Sequence, residues 1–185
     1  IKSFSYFQLF LIPTDSLLSP FYFAFTVYYR LMNKYSTEAA KLFKEGYNCA
    51  QSTFCAFSDE LGIDKAIALK LTSSFGGGMG RLREVCGAVS AMFMIAGLLK
   101  GYTCPQDDDA KTQHYKLIQN LAEEFKKLHK TIICRELLGL SEGKDDYTPS
   151  KRTEEYYTSR PCEKIIADAA LIIEKHLINK TNKCI

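Results

Sequence analysis

The sequence predicts an all-α protein, a compact multi-helix bundle with one central apolar helix. From Asn33 onward the apolar residues recur at helical spacing, and few stretches alternate as half-buried strands do. Glycines and polar clusters punctuate the chain where helices should start or stop. One segment, Val85 to Leu99, carries no charge on any side, which marks a helix surrounded by others. A chain of 185 residues, 46% hydrophobic and 24% charged, can bury one core of its own, so residues 32–185 are read as a single domain.

The elements follow in order. A first helix is expected from Tyr35 to Glu45, stopped by Gly46. A second begins after Asn48, a good N-cap, and runs through Cys55 and Phe57 to about Leu61. Asp64 caps a third, Lys65 to about Ser74, which ends at the cluster Gly76, Gly77, Gly78 and Gly80. The central helix is placed from Arg83 to Lys100, with Gly87, Gly97 and several alanines that suit close packing more than membrane insertion. Asp107 to Asp109 open a long amphipathic helix to Lys130, and a short helix follows from Cys134 to Leu138. Ser141 to Ser159 is polar and is expected to be a loop. Pro161 opens the last helix, whose one face carries Ile165, Ile166, Ala169, Ala170, Ile173 and Leu177.

Residues 1–31 differ from the rest: they are rich in aromatics, with only Lys2, Asp15 and Arg30 charged. Their longest charge-free part, Ser16 to Tyr29, is broken by Pro20 and is shorter than the roughly 20 residues of a spanning helix. No small-x-small cleavage site follows it. The expectation is an extension outside the domain, translated upstream of a start at Met32; a membrane anchor and a docking element are the alternatives. Membrane association would follow only if this extension is genuine.

Net charge is +3, from 24 basic and 21 acidic residues dispersed along the chain, which gives no electrostatic footprint for nucleic acid. Seven cysteines is an odd count in a chain large enough to fold without disulfide staples, so a reducing, cytoplasmic setting is expected.

The chemistry is carried by Cys49, Cys86, Cys134 and Cys162. Three of them are placed at helix starts beside glycine, proline or arginine, where unpaired backbone N–H groups and nearby cations favour a thiolate. Cys86, three residues into the central helix, has Arg81 and Arg83 in the preceding turn as thiolate stabilisers. Cys134 adjoins Arg135, and Cys162 follows Arg160 and Pro161. Cys49 alone reads equally well as a small core residue, Cys86 favours a functional reading, and the signal of each taken separately is weak; the recurrence is what points to a site. Spacings of 37, 48 and 28 residues, with no C-x-x-C pair, exclude a thioredoxin-like dithiol and a zinc knuckle. Convergence in the fold is then the only route to a four-sulfur site, which a helical bundle allows.

Cys55 is expected in the core, and Cys104 and Cys184 as incidental exposed thiols. His114, His129 and His176 show no metal-ligand spacing and are expected to be solvent-exposed. The loop Phe75 to Arg81 resembles a phosphate cradle only loosely, without a preceding strand or a G-K-[ST] ending. It is expected to permit close helix approach, with anion binding at Gly77 and Gly78 as the alternative.

Taken with their contexts, the cysteines carry a resemblance. Gly46 to Ser52, Phe75 to Gly80 leading to Cys86-Gly87-Ala88-Val89-Ser90-Ala91, Cys134 to Gly139, and Arg160-Pro161-Cys162 through Ala170 resemble the C_GCAxxG_C_C family, known chiefly by its four cysteines and a C-G-A-x-x-G motif, with an inferred redox role. The likeness spans about Met32 to Leu177, with Ala91 where the motif has its last glycine. It implies a redox class without a defined reaction.

Two chemistries stay open, with a redox partner protein or small molecule implied by either. The four cysteines exchange between thiol and disulfide, with Cys86 or Cys49 as the attacking thiolate. Alternatively they hold an iron–sulfur cluster or zinc. A third reading makes them core residues of a binding module.

Overall fold

The computed structural model describes residues 33–141 and 145–178, and these are helical throughout, without a strand. The calls on residues 1–31 and on Cys184 lie outside the described residues.

Helix α1 (Lys34–Lys44) buries Tyr35, Ala39, Leu42 and Phe43, the one-sided spacing that marks an amphipathic helix. Helix α2 (Cys49–Cys55) is started by a reciprocal capping box: the Asn48 side chain accepts from the Ala50 and Gln51 amides, and the Asn48 amide donates to the Gln51 side chain. Helix α3 (Lys65–Ser73) is capped by Asp64, as expected. A short turn, α4 (Gly76–Met79), leads to α5 (Gly87–Lys100), the central apolar helix. Helix α6 (Asp108–His129) has acids in its first turn and bases in its last, matched to the helix dipole. Then come α7 (Cys134–Leu137), α8 (Glu154–Ser159) and α9 (Cys162–Ile173), which runs on into a π-helical turn, Glu174–Ile178.

α1 lies along α9, and α2 is packed among α1, α3 and α5. α5 in turn meets α6 and α9. Phe43, Phe54, Phe57, Val89, Met92, Ile95, Phe125, Ile166 and Ile173 fill the space between these helices, almost fully buried. Each such side chain contributes about 1.5–3 kcal/mol on burial. The expected face of the last helix, from Ile165 to Leu177, is buried in full.

Four expectations need correction. α2 ends at Cys55, because the amides of Phe57 and Ser58 turn back to Phe54 and Cys55 and the Ser58 hydroxyl donates to the Cys55 carbonyl. The central helix starts at Gly87 and not at Arg83: Cys86 is its N-cap, and residues 83–86 are hydrogen-bonded alongside residues 132–135. The polar stretch from 141 to 159 contains α8, whose cap is the Thr153 hydroxyl accepting from the Tyr156 amide. The histidines are half-buried; His129, on α6, lies 3.0 Å from Asp168 of α9. No helix among the described residues is long and apolar enough to cross a membrane.

Candidate functional site

All four cysteines stand at helix starts, one more than the sequence indicates. Cys49, Cys134 and Cys162 are the first residues of α2, α7 and α9, and Cys86 caps α5. Two backbone arrangements bring them together. The first is a short antiparallel pairing centred on Val85 and Ile133. The Cys86 amide donates to the Ile132 carbonyl at 2.8 Å and the Cys134 amide to the Glu84 carbonyl at 2.6 Å, so these two cysteines share one ladder. The second is the close approach of α2 to the start of α5, where the Cys49 sulfur lies against Gly87.

The glycine cluster forms the wall behind Cys134. Gly77, Gly78, Met79, Gly80 and Arg81 all have positive φ, as does Arg83. For Met79, Arg81 and Arg83 that conformation costs roughly 1–3 kcal/mol each. Gly78 packs so tightly that a Cβ there would meet the Cys134 Cβ at 2.6 Å and the Glu84 backbone at 3.0 Å. Gly78 thus makes a close approach to Cys134, while Gly77 lines the cavity that holds Cys86.

The four cysteines line one small cavity of about 50 Å³, together with Gly77, Arg83, Arg152, Tyr156, Arg160 and apolar side chains of α1, α7 and α9. Cys86 and Cys134 are buried, Cys49 and Cys162 half-buried, and all four are free thiols. Cys55 is in the core away from this cavity, and Cys104 is exposed.

Electrostatics in the cavity differ from the sequence expectation. Burial pushes the Cys86, Cys134 and Cys162 thiols up, Cys162 to about 11. Charge on Cys49 pushes each of them further up, and charge on Cys134 does the same to Cys86 and Cys162, so the sulfurs act on one another across the cavity. The arginines are also arranged differently. Arg83 is 3% exposed and its Nη1 donates to the Cys134 sulfur at 3.8 Å, opposing the effect of burial there. At Cys86 the main downward influences are the Ala88 and Val89 amides. Asp145 balances the Arg83 charge and also binds Arg81 at 2.8 Å; Arg81 reaches Ser150 as well and points away from the sulfurs. Glu84 pairs with Arg135, which removes that cation from Cys134.

Sequence reasoning missed Asp145 and Arg152. Arg152 lies over the rings of Phe43 and Tyr156, and Arg160 over Tyr156. The Thr153-Glu154-Glu155 cap could have revealed α8, the element that carries Tyr156 and stands between these two arginines.

An all-helical protein with four thiols from four helix starts around one cavity belongs to a cysteine-based class. A family model described as "Putative redox-active protein (C_GCAxxG_C_C)" matches residues 47–176, and the chain belongs to that family. No curated protein and no solved structure matches the chain. Ala91, the departure from the family motif, is fully buried in α5.

Whether a metal suits the cavity can be judged from its donors. Four thiolates would repel one another and a cation would relieve that repulsion. Yet among the described residues no three of His, Cys, Asp and Glu stand in an arrangement that could hold a metal ion. As placed, the four cysteines form no such arrangement.

Proposed function

We propose that the protein is a thiol–disulfide redox protein and that Cys49, Cys86, Cys134 and Cys162 are its reactive groups. The observation that carries this reading is that all four sulfurs line one cavity although they come from parts of the chain up to 113 residues apart. Packing alone does not require four thiols at one place.

Cys49 is assigned the attack. It is half-buried where Cys86 and Cys134 are buried, its charge acts on each of the other three thiols, and it follows Asn48, which also lines the more open space next to the cavity. Its thiolate attacks one sulfur of an incoming disulfide, forming a mixed disulfide and releasing the first thiolate. Cys86, whose neighbour Gly87 touches the Cys49 sulfur, then attacks Cys49 and releases the second. Two protein thiols become one disulfide, and their two protons go to the two thiolates released. Burial of Cys86 keeps it protonated until the mixed disulfide is in place, which protects the resting pair from stray oxidation.

The test is thiol counting on the full chain, with metal and sulfide analysis of the same anaerobic preparation. We expect a reversible loss of two thiols per chain on mild oxidation, a Cys49–Cys86 peptide by mass spectrometry, and no such loss in Cys49→Ser. Stoichiometric iron and sulfide, or zinc, lost in Cys86→Ser would replace this reading by a metal centre. Metal-free protein with inert thiols would make the cysteines core residues.

A further inference from the structure

Next to the sulfur cavity lies a second, more open space of about 260 Å³. The two share Asn48, Gly77, Arg83, Arg152, Tyr156 and Arg160. With Arg81 this second space holds four guanidinium groups, and a single carboxylate, Asp145, serves two of them. Arg152 and Arg160 have no carboxylate partner among the described residues. Arg152 Nη2 donates to the Tyr47 carbonyl at 3.3 Å, while its Nη1 is buried without any hydrogen-bond partner. A buried guanidinium nitrogen left unpaired costs about 1–3 kcal/mol or more, and an oxyanion is the group that satisfies it best. The stacking on Phe43 and Tyr156 holds both guanidinium planes in place for such a ligand.

We infer that this arginine-lined space is the binding site for the redox substrate, a small disulfide bearing carboxylates. The inference rests on the thiol–disulfide reading of the adjoining cavity. One carboxylate pairs with Arg152 and Arg160, and the disulfide bond extends past Asn48 toward Cys49. The volume is below that of drug-sized pockets, which fits a short, unbranched molecule and excludes a folded domain entering the site. The reaction is balanced: one disulfide and two protein thiols give one protein disulfide and two anionic small thiols. Charge selects the substrate at the entrance, and the sulfurs need no recognition elements of their own.

The experiment measures exchange of the reduced full chain with three small disulfides of similar size: dianionic 3,3′-dithiodipropionate, neutral 2-hydroxyethyl disulfide and cationic cystamine. We expect the dianion to react about tenfold faster than the neutral compound at low salt and the cation slowest. The preference should shrink in 0.5 M salt, and the ratio of dianion to neutral rates should fall toward one in Arg152→Gln and in Arg160→Gln. Using the ratio within each variant cancels any general loss of thiol reactivity. Equal rates for all three compounds in the unaltered chain would overturn the inference and leave thiol exchange standing. If none of the three exchanges, the thiol reading falls, and calorimetry with the dianion on Cys49→Ser decides the binding site separately. Saturable, salt-sensitive binding that Arg160→Gln abolishes supports it; no binding at millimolar dianion overturns it.

Discussion

The Cys49 sulfur rests on the backbone of Gly87, so closely that a Cβ on residue 87 would stand 2.5 Å from it and 2.6 Å from the Phe75 carbonyl oxygen. The residue after the second cysteine is therefore the seat of the first. Glycine at position 87 is needed because of the space it leaves, with α2, α4 and α5 all converging there.

Gly87→Ala should lower stability by about 1–3 kcal/mol, the usual result of overfilling a packed site where a backbone oxygen is one of the obstacles. It should also displace Cys49 and weaken its disulfide with Cys86. Gly97→Ala, on the same helix with nothing within 4 Å of the added methyl, is the comparison. That change should stabilise by about 0.5–1 kcal/mol through helix propensity. Chemical denaturation of the two variants checks both signs, and equal effects would show that Gly87 has no special contact.

Arg83 lowers the Cys134 thiol against the pull of burial. Arg83→Gln removes that charge, so the Cys134 titration should move upward and its alkylation at pH 8 should slow about tenfold for each unit moved. Cys86, on which burial and the Cys49 charge act most strongly, should move less. Alkylation rates followed residue by residue by mass spectrometry distinguish the two, and an unmoved Cys134 would exclude a role for the arginine in thiol chemistry.

Glu174 begins the π-helical turn, is 2% exposed, and has one carboxylate oxygen without a hydrogen-bond partner. Burial raises it from 4.5 to about 7, with only Lys34 acting in the opposite direction. Because the folded chain holds this proton more tightly than the unfolded one, stability is full below pH 4.5 and is lost as pH rises through 7. The loss should reach about 3 kcal/mol by pH 8. Glu174→Gln should flatten that slope, giving a higher melting temperature than the unaltered chain at pH 8 and no gain at pH 5.

Cys162 adds a second slope of the same sign at alkaline pH. Its thiol is raised from 9 to about 11, so the stability it carries is full below pH 9 and declines as pH rises through 11. Cys162→Ala should lessen the alkaline decline in melting curves taken across the range under reducing conditions, the remainder coming from Cys86 and Cys134, while Cys104→Ala, at an exposed position, should leave it unchanged.

The residues show why some of this was legible in the sequence. Caps and periodicity are local, and the starts at Asn48, Asp64 and Asp107 could be read because a short polar side chain and the next few amides make those hydrogen bonds within one turn. The central helix was placed four residues early because residues 83–86 pair with residues 132–135, almost fifty positions away, and no local pattern announces such a pairing. Arg83 was read as a neighbour of Cys86 for the same reason. Its positive φ turns the side chain toward Cys134 and Asp145, partners set by the tertiary fold. Arg152, inside the stretch expected to be a loop, was not singled out, since its aromatic neighbours Phe43 and Tyr156 come from two different helices.

By itself the sequence determined the helical class, the order and approximate limits of its helices, and the four cysteines that define its family, because helix formation and motif identity depend on residues within a few positions of one another. The tertiary structure decided that those cysteines share one cavity, that Arg83 reaches Cys134, and that four arginines line the adjoining space. Those relationships depend on how close distant backbones can come, which is a matter of packing at Gly78 and Gly87 and of long-range pairing at Val85 and Ile133.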